Sequence, residues 1–273
     1  MAQDVRNSVR DSYARVARGQ GSCCGPAQTC CNSTVKKRSK QIGYTDKDLV
    51  EAPEGSNMGL GCGNPVAIAS LKKGEVVLDL GSGGGFDCFL AAKKVGSKGK
   101  VIGVDMTPEM LSRARENAAQ SEYKNVEFRL GEIENLPVAD NSVNVIISNC
   151  VINLSPDKKR VFAEAFRVLK PGGRLMVSDM VLEKDLPDFV KKSTQAYASC
   201  VAGAMLKKDY LDAVRSAGFQ DVKVVGETTI RADQFEEDPT AKSIAADMGM
   251  TMKQVNSLLA SVVSAKVYAV KPA

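Results

Sequence analysis

The chain has 273 residues, 44% of them apolar and 25% charged, so it is long enough to bury a core and has the composition of a globular protein. Its net charge is +5, and it has eight cysteines but no histidine, which excludes Ser-His and Cys-His catalysis and imidazole metal ligands. No apolar run is long enough to span a membrane, and the polar start Met1–Arg10 lacks the apolar core of a secretory signal, so we expect a cytoplasmic protein with mostly reduced cysteines.

The N-terminal residues predict a helix followed by a cysteine-rich loop. Apolar side chains recur at helical spacing at Val5, Val9, Tyr13 and Val16, which predicts an amphipathic helix over Asp4–Arg18. The next stretch, Gly19–Ser33, is rich in Gly, Ser and Cys and predicts a loop. It holds two adjacent cysteine pairs, Cys23-Cys24 and Cys30-Cys31.

A short basic cluster, Lys36-Lys37-Arg38, follows this loop. No aromatic residues are interleaved with it, and the whole chain is only 5% aromatic. These features favour a solvated basic loop over a nucleic-acid-binding site. A second glycine-rich segment covers residues 51–65, and its helix-breaking residues predict another loop.

From residue 66 onwards, apolar strands alternate with helices. The predicted strands are Val76–Leu80, Val101–Asp105, Val126–Arg129, Val143–Ser148 and Arg174–Ser178. Val66–Leu71 is predicted to end a helix. Further helices are predicted at Cys88–Lys94, Pro108–Gln120 and Lys158–Leu169, and Pro171-Gly172-Gly173 ends the last of them. This alternation is typical of an α/β fold with a parallel sheet covered by helices on both faces.

The C-terminal part predicts helices and two further strands. Residues 185–218 have a helical pattern that ends at Gly218, and strands are expected at Val222–Glu227 and Lys266–Val270. A helical insertion lies between those strands, and Asp233–Ser264 carries no motif that we can interpret. We therefore divide the chain into an N-terminal segment (1–50), a core (51–180) and C-terminal helices and strands (181–273).

The strongest nucleotide-binding signal follows the first predicted strand. Gly81, Gly83 and Gly85 lie between a strand and a helix, where glycines permit a tight turn and the approach of a ligand to the backbone. A dinucleotide motif needs a glycine where Phe86 stands, and Asp79 would repel a phosphate but suits a cation. This pairing indicates the aminoacyl, sulfonium-bearing end of S-adenosylmethionine.

Two further positions extend this signal. Asp105 ends the second strand, where a carboxylate can accept hydrogen bonds from both ribose hydroxyls of an adenosine. Gly131-Glu132-Ile133 follows the third strand and can flank the adenine. The alternative is an α/β domain with fortuitous glycines, which the ordered set of residues disfavours.

Together these residues resemble the class I S-adenosylmethionine-dependent methyltransferases over roughly residues 50–230. The resemblance implies a Rossmann-like fold with a seven-stranded sheet, mostly parallel, whose last strand is antiparallel. It also implies S-adenosylmethionine as cofactor. The cofactor-binding residues are then expected to be Met58, Asp79, Gly81, Ser82, Gly83, Gly85, Asp105, Met106, Glu132, Ile133 and Asn149.

Cysteines at three distant positions can border the same cleft. Cys62 lies in the second glycine-rich loop, Cys150 just past the fourth strand, and Cys200 in the helical stretch after the fifth. Each can instead be a small buried apolar residue, an interpretation that we favour for Cys88 on the first helix of the core. Three thiolates without closely spaced pairs or histidine fit zinc poorly but suit trivalent arsenic, a soft pyramidal centre with a lone pair.

The cysteine-bearing motifs resemble those of the arsenite methyltransferases. They are Asn57-Met58-Gly59-Leu60-Gly61-Cys62-Gly63-Asn64-Pro65, Gly81-Ser82-Gly83-Gly84-Gly85-Phe86-Asp87-Cys88, Ile147-Ser148-Asn149-Cys150-Val151-Ile152-Asn153-Leu154 and Ser199-Cys200. The resemblance implies that arsenite or its thiol adducts bind Cys62, Cys150 and Cys200. It also implies that an N-terminal cysteine, for which we favour Cys31 over its neighbour Cys30, takes part in disulfide cycling with a thioredoxin or glutathione reductant during arsenic detoxification.

Two other functions remain open at this point. One is a methyltransferase of the same fold that acts on a small organic or isoprenoid-like acceptor. The other is a non-catalytic, thiol-based metalloid sensor or sequestrant. We expect neither a nucleic acid nor a membrane as partner.

Overall fold

The structure is a computed structural model, and it describes residues 2–19, 28–191, 193, 196–197, 200–229, 249, 251, 254, 258 and 260–273. For residues 2, 3, 28–34 and 68 only the backbone is described. Most of the predicted helical insertion and the pair Cys23-Cys24 therefore lie outside the described residues.

The described chain forms one seven-stranded sheet with the order β3-β2-β1-β4-β5-β7-β6. The strands are β1 (Val76–Leu80), β2 (Lys100–Asp105), β3 (Val126–Leu130), β4 (Val143–Asn149), β5 (Leu169–Leu182), β6 (Gln220–Thr229) and β7 (Val262–Val270). The first five strands pair in parallel, whereas β7 runs antiparallel to both of its neighbours. This topology confirms the predicted Rossmann-like methyltransferase fold.

Helices cover both faces of this sheet. They are α1 (Ala2–Ala17), α2 (Gln28–Gln41), α3 (Asp46–Glu51), α4 (Pro65–Ile68), α5 (Phe86–Val95), α6 (Pro108–Ala119), α7 (Lys158–Val168), α8 (Asp188–Lys191) and α9 (Lys207–Ser216). Successive strand residues point to opposite faces, so Leu78 packs in the cluster that contains α7 and α9, while Val77 packs against α5 and α6. Burial on both faces explains why the central strands are almost entirely apolar.

Two predictions about the N-terminal half were wrong in their bounds. The loop expected over Gly19–Ser33 ends early, because α2 begins at Gln28; between Pro26 and Gly43 no glycine or proline interrupts a helix. The basic cluster Lys36-Lys37-Arg38 is consequently on this helix rather than in a loop, and its side chains are exposed.

Two predictions about the C-terminal half also need correction. The described part of 185–218 is helical in α8, at 196–197 and in α9, but the chain turns at 200–203, which interrupts the expected helical stretch. Strand β5 is much longer than expected, because it pairs with β4 both before and after Pro171-Gly172-Gly173, and these three residues form an irregularity within the strand.

Among the described residues, no helix has both the length and the apolar character needed to cross a membrane.

Candidate functional site

A cleft of about 1080 Å³ opens at the carboxyl edge of the parallel strands, where open α/β sheets bind their ligands. Every residue predicted to hold the cofactor lines it except Gly85 and Glu132. The cleft is also lined by residues that the sequence did not single out, notably Tyr13, Tyr44 and Asp87.

The glycine loop after β1 is shaped to receive a ligand. Gly81 and Ser82 both donate backbone hydrogen bonds to the Val104 carbonyl, at 2.8 and 3.0 Å, which anchors the loop to β2. Gly83 has a φ of +50°, and a Cβ there would meet only open space. The buried Ser82 hydroxyl has no hydrogen-bond partner among the residues that the structure describes, so this loop offers both bare backbone and a polar group to a ligand.

Asp105, the last residue of β2, lies next to this glycine loop. Its two carboxylate oxygens accept backbone hydrogen bonds from Gly83 at 2.9 Å and from Thr107 at 2.8 Å. Burial raises the pKa of Asp105, while those hydrogen bonds oppose the rise. These hydrogen bonds fix the carboxylate in position at the cleft that it lines.

Two more carboxylates, Asp79 and Asp87, give the base of the cleft a negative character. Burial, and then the charge of Asp87, raise the pKa of Asp79 well above its ordinary value, although the Cys88 thiol donates a hydrogen bond to Asp79 at 3.2 Å. Burial likewise raises the pKa of Asp87 to about 6, against the hydrogen bond from Tyr44. Crowded acids with raised pKa values favour a cationic ligand, because its charge stabilises their ionised forms.

Asn149, at the end of β4, connects this acidic base to the cysteine-bearing loop. Its side-chain oxygen accepts the backbone hydrogen bonds of Cys62 and Gly63, at 3.0 and 3.2 Å. Its amide nitrogen lies within hydrogen-bond distance of Tyr44 Oη at 2.9 Å and Asp87 Oδ2 at 3.1 Å. One side chain therefore fixes the position of the loop relative to the cleft.

The three predicted arsenic ligands lie together. Cys62, Cys150 and Cys200 are all buried, and they belong to one cluster with Leu154 and Val9. The Cys62 thiol donates to the Ser178 carbonyl at 3.4 Å, and that carbonyl also accepts the backbone hydrogen bond of Cys150 at 2.8 Å. The Cys200 thiol donates to the Cys150 carbonyl at 2.9 Å.

Cys150 is the centre of this cluster. Interactions with the neighbouring Cys200 and Cys62 thiols, and then burial, raise the pKa of Cys150 well above its ordinary value. The described residues include no group of three or more His, Cys, Asp or Glu side chains arranged to hold a metal ion. The thiols thus form a contact cluster rather than a preformed coordination shell.

The backbone at two of these cysteines is unusual. Cys150 and Cys200 have φ values of +62° and +63°, in the left-handed region that only glycine adopts without cost. Strained backbone of this kind is typical of functional sites, where the surrounding fold over-determines the conformation. Ser70, Asn141 and Asp221 also have positive φ values, so the backbone at Cys150 and Cys200 supports a functional role together with their place in the thiol cluster.

Helix α1 lies against the cleft through Arg6, Val9 and Tyr13. Its Arg6 pairs with Glu134 at 3.2 Å, and Arg10 pairs with Glu132 at 3.3 Å. The Glu132 carboxylate therefore lies in ion pairs with Arg10 and, at 3.6 Å, with Arg6, and Glu132 itself does not line the cleft.

Gly85 and Cys31 are the remaining predicted residues. Gly85 stands at the N-terminus of α5 with a φ of +91°, and a Cβ there would meet the rings of Phe89 and Phe128 within 3 Å. Packing at the start of α5 therefore explains why a glycine stands at this position. Cys31 lies in α2, and its side chain, like that of Cys30, is outside the described residues.

Sequence reasoning missed Tyr13, Tyr44 and Asp87 as parts of the site. Asp87 carried a signal, since it directly follows the glycine loop in the first turn of α5. The sequence predicts only that Tyr13 lies on the apolar face of a helix, and no residue pattern around Tyr44 indicates that its side chain reaches the cleft.

Comparisons with known proteins agree with this geometry. A family model described as a methyltransferase domain matches residues 71–218. An arsenite methyltransferase of Halobacterium salinarum is 50% identical over 230 residues, covering 81% of this chain and 59% of the relative. An arsenite methyltransferase of Aquipseudomonas alcaligenes is 44% identical, covering 83% and 65%. The chain thus spans about three-fifths of the length of these curated relatives.

Among solved structures, the crystal structure of an arsenic(III) S-adenosylmethionine methyltransferase from Chlamydomonas reinhardtii is similar to this chain. The two share 33% sequence identity with a TM-score of 0.63. The matched region covers 88% of this chain and 73% of that structure.

Proposed function

This chain belongs to the arsenite methyltransferase family of class I methyltransferases, and on that premise we propose that it transfers a methyl group from S-adenosylmethionine to trivalent arsenic bound by cysteine thiols. The observation that carries the proposal is the meeting of Cys62, Cys150 and Cys200 in one buried cluster beside the cleft. These residues come from three different parts of the chain, and Cys150 itself lines the cleft.

The cleft residues suit the parts of the cofactor. The Asp105 carboxylate lines the cleft where it can accept hydrogen bonds from the ribose hydroxyls, and Met106 and Ile133 line the same cleft to contact the adenine. The Gly81–Gly85 loop and Asp79 face the aminoacyl end, and Met58 and Asn149 line the same cleft. When bound, S-adenosylmethionine supplies an electrophilic methyl group on a sulfonium. Bringing the acids Asp79 and Asp87 against that cation favours binding, since their own charges are otherwise poorly compensated.

The thiols supply the arsenic site. Arsenite or an arsenic–thiol adduct exchanges its hydroxyl or thiol ligands for Cys62, Cys150 and Cys200, and each leaving ligand departs with the proton of the thiol that replaces it. Three sulfur ligands leave trivalent arsenic pyramidal with a lone pair. The site needs no general base for the transfer itself, which agrees with the absence of histidine from the sequence.

The transfer step is a displacement. The arsenic lone pair attacks the methyl carbon, an As–C bond forms, and the C–S bond breaks with its electron pair remaining on sulfur as a neutral thioether. Arsenic is formally oxidised from the trivalent to the pentavalent state. The protein contributes by orienting the two reactants and by excluding water from the buried thiols.

Restoring trivalent arsenic requires two electrons. Two cysteine thiols that become a disulfide supply them, and we assign this role to Cys31 with Cys62. A thioredoxin-type protein or glutathione then reduces the disulfide. Methylarsenite can rebind through Cys150 and Cys200 for a further cycle, in the detoxification role that the family implies.

The decisive experiment combines the protein with arsenite, a thiol and S-adenosylmethionine and follows methylated arsenic by chromatography with elemental detection. We expect turnover by the natural sequence and a loss of at least about 100-fold in Cys150→Ser, because arsenic loses its central ligand. The control is Ser142→Ala, whose hydroxyl donates to the Ala139 carbonyl at an exposed site that does not line the cleft.

The same assay separates the alternatives. Arsenite binding without consumption of S-adenosylmethionine would identify a sequestrant or sensor. Methylation of an organic acceptor with none on arsenic, unaffected by Cys150→Ser, would identify another methyltransferase. Either result would overturn the proposal.

A further inference from the structure

The backbone of Cys62 is held by two side chains of the sheet, one at its N–H and one at its carbonyl. The N–H donates to the Asn149 side-chain oxygen at 3.0 Å, and the carbonyl accepts a hydrogen bond from the Ser264 hydroxyl at 2.7 Å. Asn149 ends β4 and Ser264 lies in β7, so these contacts come from the two strands that flank β5. The proposed function gives no role to Ser264, although this residue is buried.

The two glycines that flank Cys62 allow this close approach to the sheet. A Cβ at Gly61 would lie 2.5 Å from the Asn149 amide nitrogen, and a Cβ at Gly63 would lie 2.6 Å from the Ser178 side chain. Because neither position has space for a side chain, the backbone of the loop can lie directly against β4 and β5. Contact with the sheet therefore explains the sequence Gly61-Cys62-Gly63.

The hydrogen bonds of Asn149 within the protein meet the capacity of its amide. The oxygen accepts the backbone hydrogen bonds of Cys62 and Gly63. The nitrogen lies 2.8 Å from the Gly63 carbonyl, 2.9 Å from Tyr44 Oη and 3.1 Å from Asp87 Oδ2. An amide has two lone pairs on oxygen and two hydrogens on nitrogen, so these contacts favour a role in holding the Cys62 loop over a role in binding the cofactor.

We propose that Asn149 and Ser264 are positioning residues for arsenic capture, which together fix Cys62 relative to Cys150. The inference rests on the proposed function. Asn149 directly precedes Cys150 in the chain, so the same residue sets the positions of two arsenic ligands. With its backbone held, Cys62 can turn its thiol from the Ser178 carbonyl toward arsenic while its Cα stays in place. A ligand that is held in this way loses less conformational freedom when it binds, which raises the affinity for arsenite.

The test compares two arsenicals that need different numbers of thiols. Arsenite binds three, whereas the methyl group of methylarsenite occupies one position on arsenic and leaves two, which the proposed function assigns to Cys150 and Cys200. In Ser264→Ala, calorimetry without cofactor should show arsenite affinity lowered by roughly fivefold, the effect of one lost hydrogen bond. Methylarsenite affinity should change by less than about twofold, because Cys62 takes no part in its binding.

The control for Ser264→Ala is Ser148→Ala. This variant also removes a buried hydroxyl that donates to a main-chain carbonyl, that of Leu80 at 3.3 Å. Ser148 and Asn149 are successive residues of β4, so their side chains point to opposite faces of the sheet. Arsenite affinity should therefore equal that of the natural sequence.

The second variant, Asn149→Ala, should have a larger effect. It removes the acceptor of two backbone hydrogen bonds, and arsenite affinity should fall by about 20-fold. The control is Asn144→Ala, whose side-chain oxygen accepts a backbone hydrogen bond from Val76 near the other end of β4.

The ratio of the two affinities distinguishes positioning from a general structural role. Equal weakening of both arsenicals in Ser264→Ala would indicate general damage to the fold and would overturn the inference. An unchanged arsenite affinity in this variant would overturn it as well. Failure of the natural sequence to bind arsenite would overturn the proposed function instead.

Discussion

The cleft has two halves that are built differently. The cofactor half, which we propose to bind S-adenosylmethionine, is formed by Asp79, residues 81–84 and Asp105, and it comes from two adjacent strands and the loop between β1 and α5. The thiol half, formed by Cys62, Cys150, Cys200 and Tyr13, comes from four segments of the chain that meet only in the folded protein. The first half is therefore fixed by local structure, and the second by tertiary packing.

This difference determines how each half responds to change. Backbone hydrogen bonds to Val104 hold the cofactor half rigidly on the sheet. The thiol half depends on side chains such as Asn149, which positions the Cys62 loop, and Tyr13, which packs against the cysteines from α1. We expect substitutions in one half to leave ligand binding by the other largely intact.

The largest expected effect is in the cofactor half. Asp105→Ala should lower the affinity for S-adenosylmethionine by about 100-fold, because two charge-assisted hydrogen bonds to the ribose are lost. Calorimetry measures this affinity, with Asp212→Ala as control, since Asp212 pairs with Arg215 on an exposed surface. Arsenite affinity should stay within about twofold; a parallel loss would mean that the halves are not separable.

The next largest effect is a pH dependence of the affinity for S-adenosylmethionine, which carries a positive charge on its sulfonium. The pKa of Asp87 is raised to about 6, so this acid gains a proton as the pH falls through that value and loses the charge that favours a cation. Between pH 8 and pH 5, affinity for S-adenosylmethionine should fall by about tenfold. Adenosine has no positive charge and should bind almost equally throughout. If both ligands weaken together, the acids of the cleft are not responsible.

A smaller effect is expected at Cys88, the thiol that lies outside the three-cysteine cluster. Cys88→Ala removes the hydrogen bond to Asp79 and should weaken S-adenosylmethionine binding by roughly fivefold. Cys88→Ser restores a donor and should recover most of the affinity. Equal losses in both variants would instead indicate a packing defect, as expected if Cys88 were only a buried apolar residue.

The smallest effect concerns Glu132. Its carboxylate is partly exposed and pairs with Arg6 and Arg10, so Glu132→Gln should cost less than about 1 kcal/mol in the docking of α1. Affinity for S-adenosylmethionine should then change by less than about threefold. A loss above tenfold would show that Glu132 contacts the adenine after all, as the sequence pattern indicated.

The sequence predicted the fold and the cofactor half better than the thiol half. The strand β1 was predicted with its correct bounds, because a run of buried apolar residues between a glycine loop and a charged segment has few other interpretations. The glycine loop and Asp105 were found for a related reason. Their spacing along the chain reflects local strand–loop–helix geometry.

The thiol half was predicted only in part. The three cysteines were identified by resemblance and by their chemistry, but their mutual contacts arise from packing between distant segments. The apolar periodicity of α1 correctly predicted a helix, and it contained no information about what Tyr13 touches. Likewise, the displacement of Glu132 depends on two arginines far away in sequence, which no local pattern reveals.

The left-handed backbone at Cys150 and Cys200 has a consequence for protein engineering. Grafting three cysteines onto another scaffold would reproduce the sulfur atoms but not the two turns that present them. A designer would need to copy the turns as well, with the Ser178 carbonyl that accepts from both Cys62 and Cys150. A transferred site must therefore reproduce the main-chain conformation at Cys150 and Cys200 as well as the three thiols.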